Sequence, residues 1–296
     1  MYTIYYIDIF NRGCRLGGNI INYICQIIFA TKHNYYIKYD KNLLRYYDSI
    51  FVKLLFEYVD VYNKVFISKF NNTEFYIDSK EIQFERININ TADFPHMMSN
   101  ITRYIKSDMI SYFRDNILKY LKNGLDILAK ERQYVLPYNP DNTIVVHLRL
   151  EDVRNVKDYD GRLCGSYYAE RINNDQVCYY ISDEKRTINQ QAPLSYEKIN
   201  DQIQKALEKH PGFNVLIITN PGEKVDLPYR VIYNTDPSYD LYLLSKSKVL
   251  ILSRSTFAIS ALFFGEQRDV YFPIWGHAVC CGVYTNFDKC MFNYFF

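Results

Sequence analysis

One stretch restricts the fold of this chain more than any other: residues 143–152, T-I-V-V-H-L-R-L-E-D. An apolar run, Ile144-Val145-Val146, leads directly into His147 and Arg149. Such a run, without alternation, predicts a strand covered on both faces, as in a parallel sheet. Residues two apart on a strand share a face, so His147 and Arg149 would present an imidazole and a guanidinium fork at one spot. That spot lies at the strand's C-terminal end, where open α/β sheets bind ligands. A guanidinium there suits bidentate recognition of phosphate. The competing reading ends the strand with a salt bridge from Arg149 to Glu151 or Asp152, and makes His147 a satisfied neighbour.

The rest of the chain supplies partners for that strand. Residues 2–10 predict a first strand, 11–19 a glycine-containing loop and 20–31 a buried helix. Strand, loop and helix in this order place backbone N–H groups beside an anion. The loop matches neither G-x-G-x-x-G nor the P-loop, and Asn19 occupies the expected N-cap position. Residues 34–39 predict a second strand, 48–58 a helix, 64–67 and 74–77 short strands, and 99–130 two helices. Pro137 and Pro140 mark residues 133–142 as a linker. It divides the chain into domains at 1–138 and 139–296.

In the second domain, residues 151–192 predict a long polar, irregular loop. The order then runs helix 194–210, strand 213–219, strand 229–233, helix 237–247 and strand 249–252. A helix from Ser253 to Phe264 closed by Gly265 follows, then a last strand at 270–272. This succession predicts an α/β fold with a parallel, doubly wound sheet. His147, Arg149, Thr219 and Ser253–Thr256 all fall at strand ends on one edge. With the strand–helix–strand start of the first half, the expectation is two Rossmann-like domains facing a cleft.

Composition narrows the function classes. A chain of 296 residues with 48% hydrophobic and 23% charged residues is globular. A net charge of +2 gives no global argument for binding nucleic acid. No apolar stretch is long enough for a membrane span, and the N-terminus lacks a basic region. The expectation is a soluble, cytoplasmic protein, in the host cytoplasm if viral. The seven cysteines are odd in number and show no C-x-x-C spacing, which argues against zinc and against a disulfide framework. A Cys164–Cys178 bridge requires an oxidising compartment.

Three stretches, in order, resemble the fucosyltransferase superfamily of GT-B glycosyltransferases, particularly its α-1,2-fucosyltransferase-like branch. Leu16-Gly17-Gly18-Asn19 and the following helix resemble the N-terminal L-G-N-Q-x-x-Q-Y-A-x-A segment, with Gln26 displaced along the chain. Residues 146–152 resemble the H-x-R-R-G-D sugar-nucleotide motif, with Leu150 for the second Arg and Glu151 for the Gly. Residues 253–261 resemble the late S-N-S-T-F-S-W-W-A segment, with Ile259 and Ser260 for the paired Trp.

The resemblance implies an inverting, metal-independent transfer of a sugar, fucose from GDP-fucose or a sugar from another nucleotide, to a hydroxyl of a glycan acceptor. It needs no cofactor and no metal, and it puts the acceptor on the side of residues 1–138. Arg149 would stabilise the leaving diphosphate, and His147 would orient donor or acceptor. Gly17, Gly18, Asn19, Thr219, Asp236, Ser253, Ser255, Thr256 and Phe257 would bind the donor. Asp8, Glu151 and Asp152 are the candidates for general base. For Asp236, the cap of the helix that begins at Pro237 is the competing role.

Other classes compete. Asp158-Tyr159-Asp160 is a D-x-D string of the kind that binds Mn²⁺ in a metal-dependent GT-A-like transferase. Leu150 and Glu151 fit a non-catalytic nucleotide- or carbohydrate-binding module. Trp275 and His277 are candidates for an acceptor site, against a packed terminal segment.

Overall fold

The computed structural model describes residues 2–11, 15–71, 82–87, 112–150, 167–173, 176–181, 194–221, 224–265, 267–273 and 291–295. They divide into two units, one holding the described residues up to Ile87 with Tyr112–Arg132, the other those from Gln133 onward.

In the first unit β1 (Tyr2–Asp8) lies between β2 (Tyr36–Lys38) and β3 (Ile82–Arg86), parallel to both. A parallel step needs a crossover, and α1 (Leu16–Lys32) supplies it between β1 and β2. Ile20, Ile21, Ile24, Ile27 and Ile28 are all buried, as in a helix covered on all sides. The helix starts earlier than its sequence suggests. Leu16 and Ile20, four apart, are both buried and draw the preceding turn into the helix. Gly17, Gly18 and Asn19 therefore lie in its first turn rather than in a loop, and Arg15, not Asn19, takes the N-cap position. Asn34, at φ +53°, ends it in a Schellman turn, with Tyr35 N–H donating to Ala30 O at 2.9 Å.

α2 (Ile50–Asn71) continues through residues 64–67, which the sequence suggested as a strand. Phe56, Val59, Asn63 and Phe66 are buried at helical spacing while Val65 and Ile67 face out. A β-branched run of that length is too short to override the longer period. A π-turn, Arg114–Leu118, leads into α3 (Lys119–Glu131). α3 approaches α2 so closely that a Cβ on Gly124 would meet Leu54 Cδ2 at 2.5 Å. The suggested strand at 74–77 lies outside the described residues.

The second unit carries a six-stranded parallel sheet. Its strands are β4 (Thr143–His147), β7 (Asn214–Thr219), β8 (Arg230–Tyr233), β9 (Val249–Ile251), β10 (Asp269–Pro273) and β11 (Met291–Phe295), in the order β11-β10-β9-β4-β7-β8. β11 was not foreseen, so residues 270–272 do not form the last strand. Between β4 and β7 comes α4 (Tyr196–Lys209), and between β8 and β9 comes α5 (Pro237–Lys246). α6 (Thr256–Phe264) joins β9 to β10. The succession expected for residues 194–272 is present, and the α/β class with it.

The pleat divides the core. Ile144, Val146, Leu148, Ile217, Val249 and Ile251 pack with Ile199, Ile203 and Ala206 of α4. The alternate positions, Val145 and His147 among them, belong to the opposite face, where α6 lies. Residues 151–192, read as irregular, include an antiparallel hairpin of β5 (Tyr167–Asn173) and β6 (Gln176–Ile181). Their tyrosines and β-branched residues are strand formers, a local signal that the reading of a polar, irregular loop passed over.

Residues 134–138 are fastened to the second unit rather than free. Tyr134 hydroxyl donates to Asp236, Tyr138 hydroxyl to Leu243 O and Tyr239 hydroxyl to Val135 O. Arg230 Nη1 donates to Pro137 O at 2.9 Å. At the end of α4, Lys209 Nζ and His210 Nε2 meet the buried Asp269 carboxylate at 2.6 and 2.8 Å. No described helix is long and apolar enough to cross a membrane.

Candidate functional site

The strand order reverses at one point. β4 leads to β7 and β8 on one side, and the chain then returns to place β9 and β10 on the other. The β4/β9 boundary is therefore the topological switch point, and the crevice beyond its carboxyl ends is where such sheets take ligands. His147 ends β4, and residues 253–255 link β9 to α6.

The two chain segments meet there. His147 Nδ1 lies 2.6 Å from Ser253 Oγ. The His147 ring packs on Phe257 with 5.6 Å between centroids. Arg149 follows the strand's last residue rather than lying on it, and its Nη1 donates to Arg254 O at 3.3 Å. Ser255 is the N-cap of α6, and its hydroxyl accepts from Phe257 N–H at 3.2 Å. Thr256 opens the helix and is partly exposed, as is Arg149. A half-exposed guanidinium beside a helix N-terminus is suited to an anion.

Burial dominates the electrostatics. His147 is only 7% exposed. Its burial, with the Arg149 charge adding to it, lowers the imidazole pKa to about 3. The ring is therefore neutral at pH 7, and it holds the Ser253 hydroxyl rather than carrying charge to a ligand.

Within the second unit, two other sequence candidates lie apart from this cluster. Thr219, buried at the end of β7, shares the pleat face of Ile217, opposite to that of His147. Its Oγ1 has no hydrogen-bond partner among the described residues. Asp236 is the N-cap of α5 and accepts from Ser238 N–H at 2.8 Å. β7 and β4 intervene between its strand, β8, and β9. Gly17, Gly18 and Asn19 belong to the first unit, and the buried Asn19 amide donates to Arg15 O at 3.2 Å. Asn22 and Gln26, farther along α1, clamp the Phe10 backbone instead of facing a ligand. Asp8 pairs with Arg86 at 2.8 Å. Glu151, Asp152, the D-x-D at 158–160, Trp275 and His277 lie outside the described residues.

The sequence reading missed Asp240. This carboxyl is 4% exposed, and burial raises its pKa to about 7. The signal available was an acid amid Leu241, Leu243 and Leu244, on a helix whose N-cap is already an Asp. Among the described residues no group of three or more His, Cys, Asp or Glu is placed to hold a metal. No family model matches the chain, and no curated protein matches it.

Proposed function

We propose that the second unit is the donor-binding half of a glycosyltransferase, an inverting and metal-independent enzyme that moves fucose from GDP-fucose to a hydroxyl of a glycan acceptor. The observation that carries the reading is the convergence of His147, Arg149 and residues 253–257 at the β4/β9 switch point. These are the same residues whose sequence resembles the sugar-nucleotide motifs. In this reading the two units correspond to the halves of a GT-B enzyme, with the first on the acceptor side.

The chemistry asks for stabilisation of a leaving diphosphate while the sugar gains positive charge. Arg149 supplies charge-assisted hydrogen bonds, and the first turn of α6 supplies N–H groups and the positive end of a helix dipole. His147 is a positioning residue that fixes Ser253. Asp8 is engaged by Arg86, so Glu151 and Asp152 are the stronger candidates for the base that activates the acceptor hydroxyl.

Turnover of GDP-fucose tests the reading. GDP release with a glycan acceptor should persist in EDTA and fall at least about 100-fold in Arg149→Ala, the scale of losing a main oxyanion-stabilising donor. Undiminished turnover in Arg149→Ala, or loss of turnover in EDTA, contradicts it.

A further inference from the structure

The first unit has a cavity of about 430 Å³ at the carboxyl end of β2, lined by β2, the residues just after it and α2. Its chemistry is mixed in a particular way. Two cationic residues, Lys38 and Lys41, and one acidic residue, Asp60, are among its lining residues. Lys38 Nζ sits 3.5 Å from the centre of the Tyr6 ring and 5.3 Å from that of Phe84. Lys41 Nζ lies 5.9 Å from the Tyr47 ring centre. Aromatic faces thus hold both ammonium groups, and neither has a carboxylate in ion-pair range among the described residues.

Asp60 is only half engaged. Tyr39 hydroxyl donates to Asp60 Oδ1 at 2.6 Å, and Oδ2 makes no bond among the described residues. The floor is fixed. Asn63 spends both ends of its amide on the Ile37 backbone, at 3.1 and 2.8 Å. Tyr36 and Tyr39 are also lining residues, and their rings pack against Phe66 and Phe56.

We infer that this cavity binds an acidic saccharide, a sugar carrying a carboxylate or a phosphate. The two ammonium groups call for an anion. A bare anion would meet the Asp60 carboxylate at a cost, whereas a polyol satisfies it by donating hydroxyl hydrogens. The tyrosines supply apolar faces for sugar C–H groups, and the volume lies in the range of small-ligand sites. The assignment stands on the first unit's own residues and does not rest on the transfer reaction.

Ligand-observed NMR and calorimetry on the full chain test it with glucuronate, glucose 6-phosphate, glucose and inorganic phosphate. At least one acidic sugar should bind, with glucose and phosphate weaker by about fivefold or more. The tighter of the acidic sugars tells carboxylate from phosphate. Lys41→Gln, at an exposed position, should weaken the acidic sugar about threefold or more and leave glucose unchanged. Asp60→Ala should weaken the acidic sugar but not phosphate, and Lys38→Gln/Lys41→Gln should abolish the preference for the acidic sugar. Phosphate binding as tightly as the tighter acidic sugar would reduce the cavity to a simple anion site and overturn the inference. So would glucose binding as tightly as the tighter acidic sugar, a preference for the acidic sugar that survives Lys38→Gln/Lys41→Gln, or binding of none of the four probes.

Discussion

His147 and Asp240 are both buried, and burial moves their titrations in opposite directions. The imidazole pKa falls to about 3 and the carboxyl pKa rises to about 7. The unfolded chain takes up its His147 proton near pH 6.5, so that group's contribution is complete above pH 6.5 and is lost as the pH falls toward 3. For Asp240 the sign is opposite. Its contribution is present below the ordinary carboxyl range and is lost as the pH rises through about 7. Asp240→Asn should therefore be more stable than wild type at pH 8, by a margin that shrinks toward pH 5. Thermal unfolding across that range checks it, and parallel curves would show that Asp240 is not the titrating group. Ser253→Ala removes the partner of a buried imidazole nitrogen and should cost about 1–3 kcal/mol, read from urea unfolding. At this scale the sequence exposed His147, Arg149 and the serines because strand ends and motif spacing are local. Asp240 and the pleat that turns Thr219 to the other face depend on which helix covers which side of the sheet, and no local pattern carries that.

Among the elements, the junction of α6 and β10 is closely packed. A Cβ on Gly265 would fall 1.9 Å from Gln267 Nε2. That amide is not free to move, because it donates to Leu244 O and Ser245 O at the end of α5. Gly265→Ala should destabilise the protein by about 1–3 kcal/mol through overpacking, whereas Gly265→Ala with Gln267→Ala should recover part of the loss. The Gly closes the helix by leaving room, since its φ of −99° is open to any residue. The strap of residues 134–138 gives a second element-scale expectation. Tyr138→Phe with Tyr239→Phe leaves the carbonyls of Leu243 and Val135 without these donors, at about 2 kcal/mol in chemical unfolding. Long periodic segments were legible as elements, α4 and α5 to within a residue or two. The end of α2, the hairpin at 167–181 and β11 were not, because a short apolar or tyrosine-rich run is decided by what it packs or pairs with.

Across the whole molecule, the alternation of strands and helices in residues 194–272 was enough to foretell a parallel sheet. It did not give the strand order, and the order is what makes β4/β9 a switch point. A chain that placed β9 beside β8 would carry the same motifs with Ser253 far from His147. The proposed donor site thus depends on a return crossover that brings two strand ends, separated by about a hundred residues of sequence, within hydrogen-bond range. The first unit's cavity is likewise built from β2 and α2, and no motif in the sequence announced it. The most direct measurement is calorimetric titration of the wild type and Arg149→Ala with GDP, in EDTA. Metal-independent GDP binding that Arg149→Ala weakens at least about tenfold, the scale of one charge-assisted phosphate contact, is the predicted result. A folded wild-type protein that binds no GDP, or equal binding by the two proteins, would contradict the donor site.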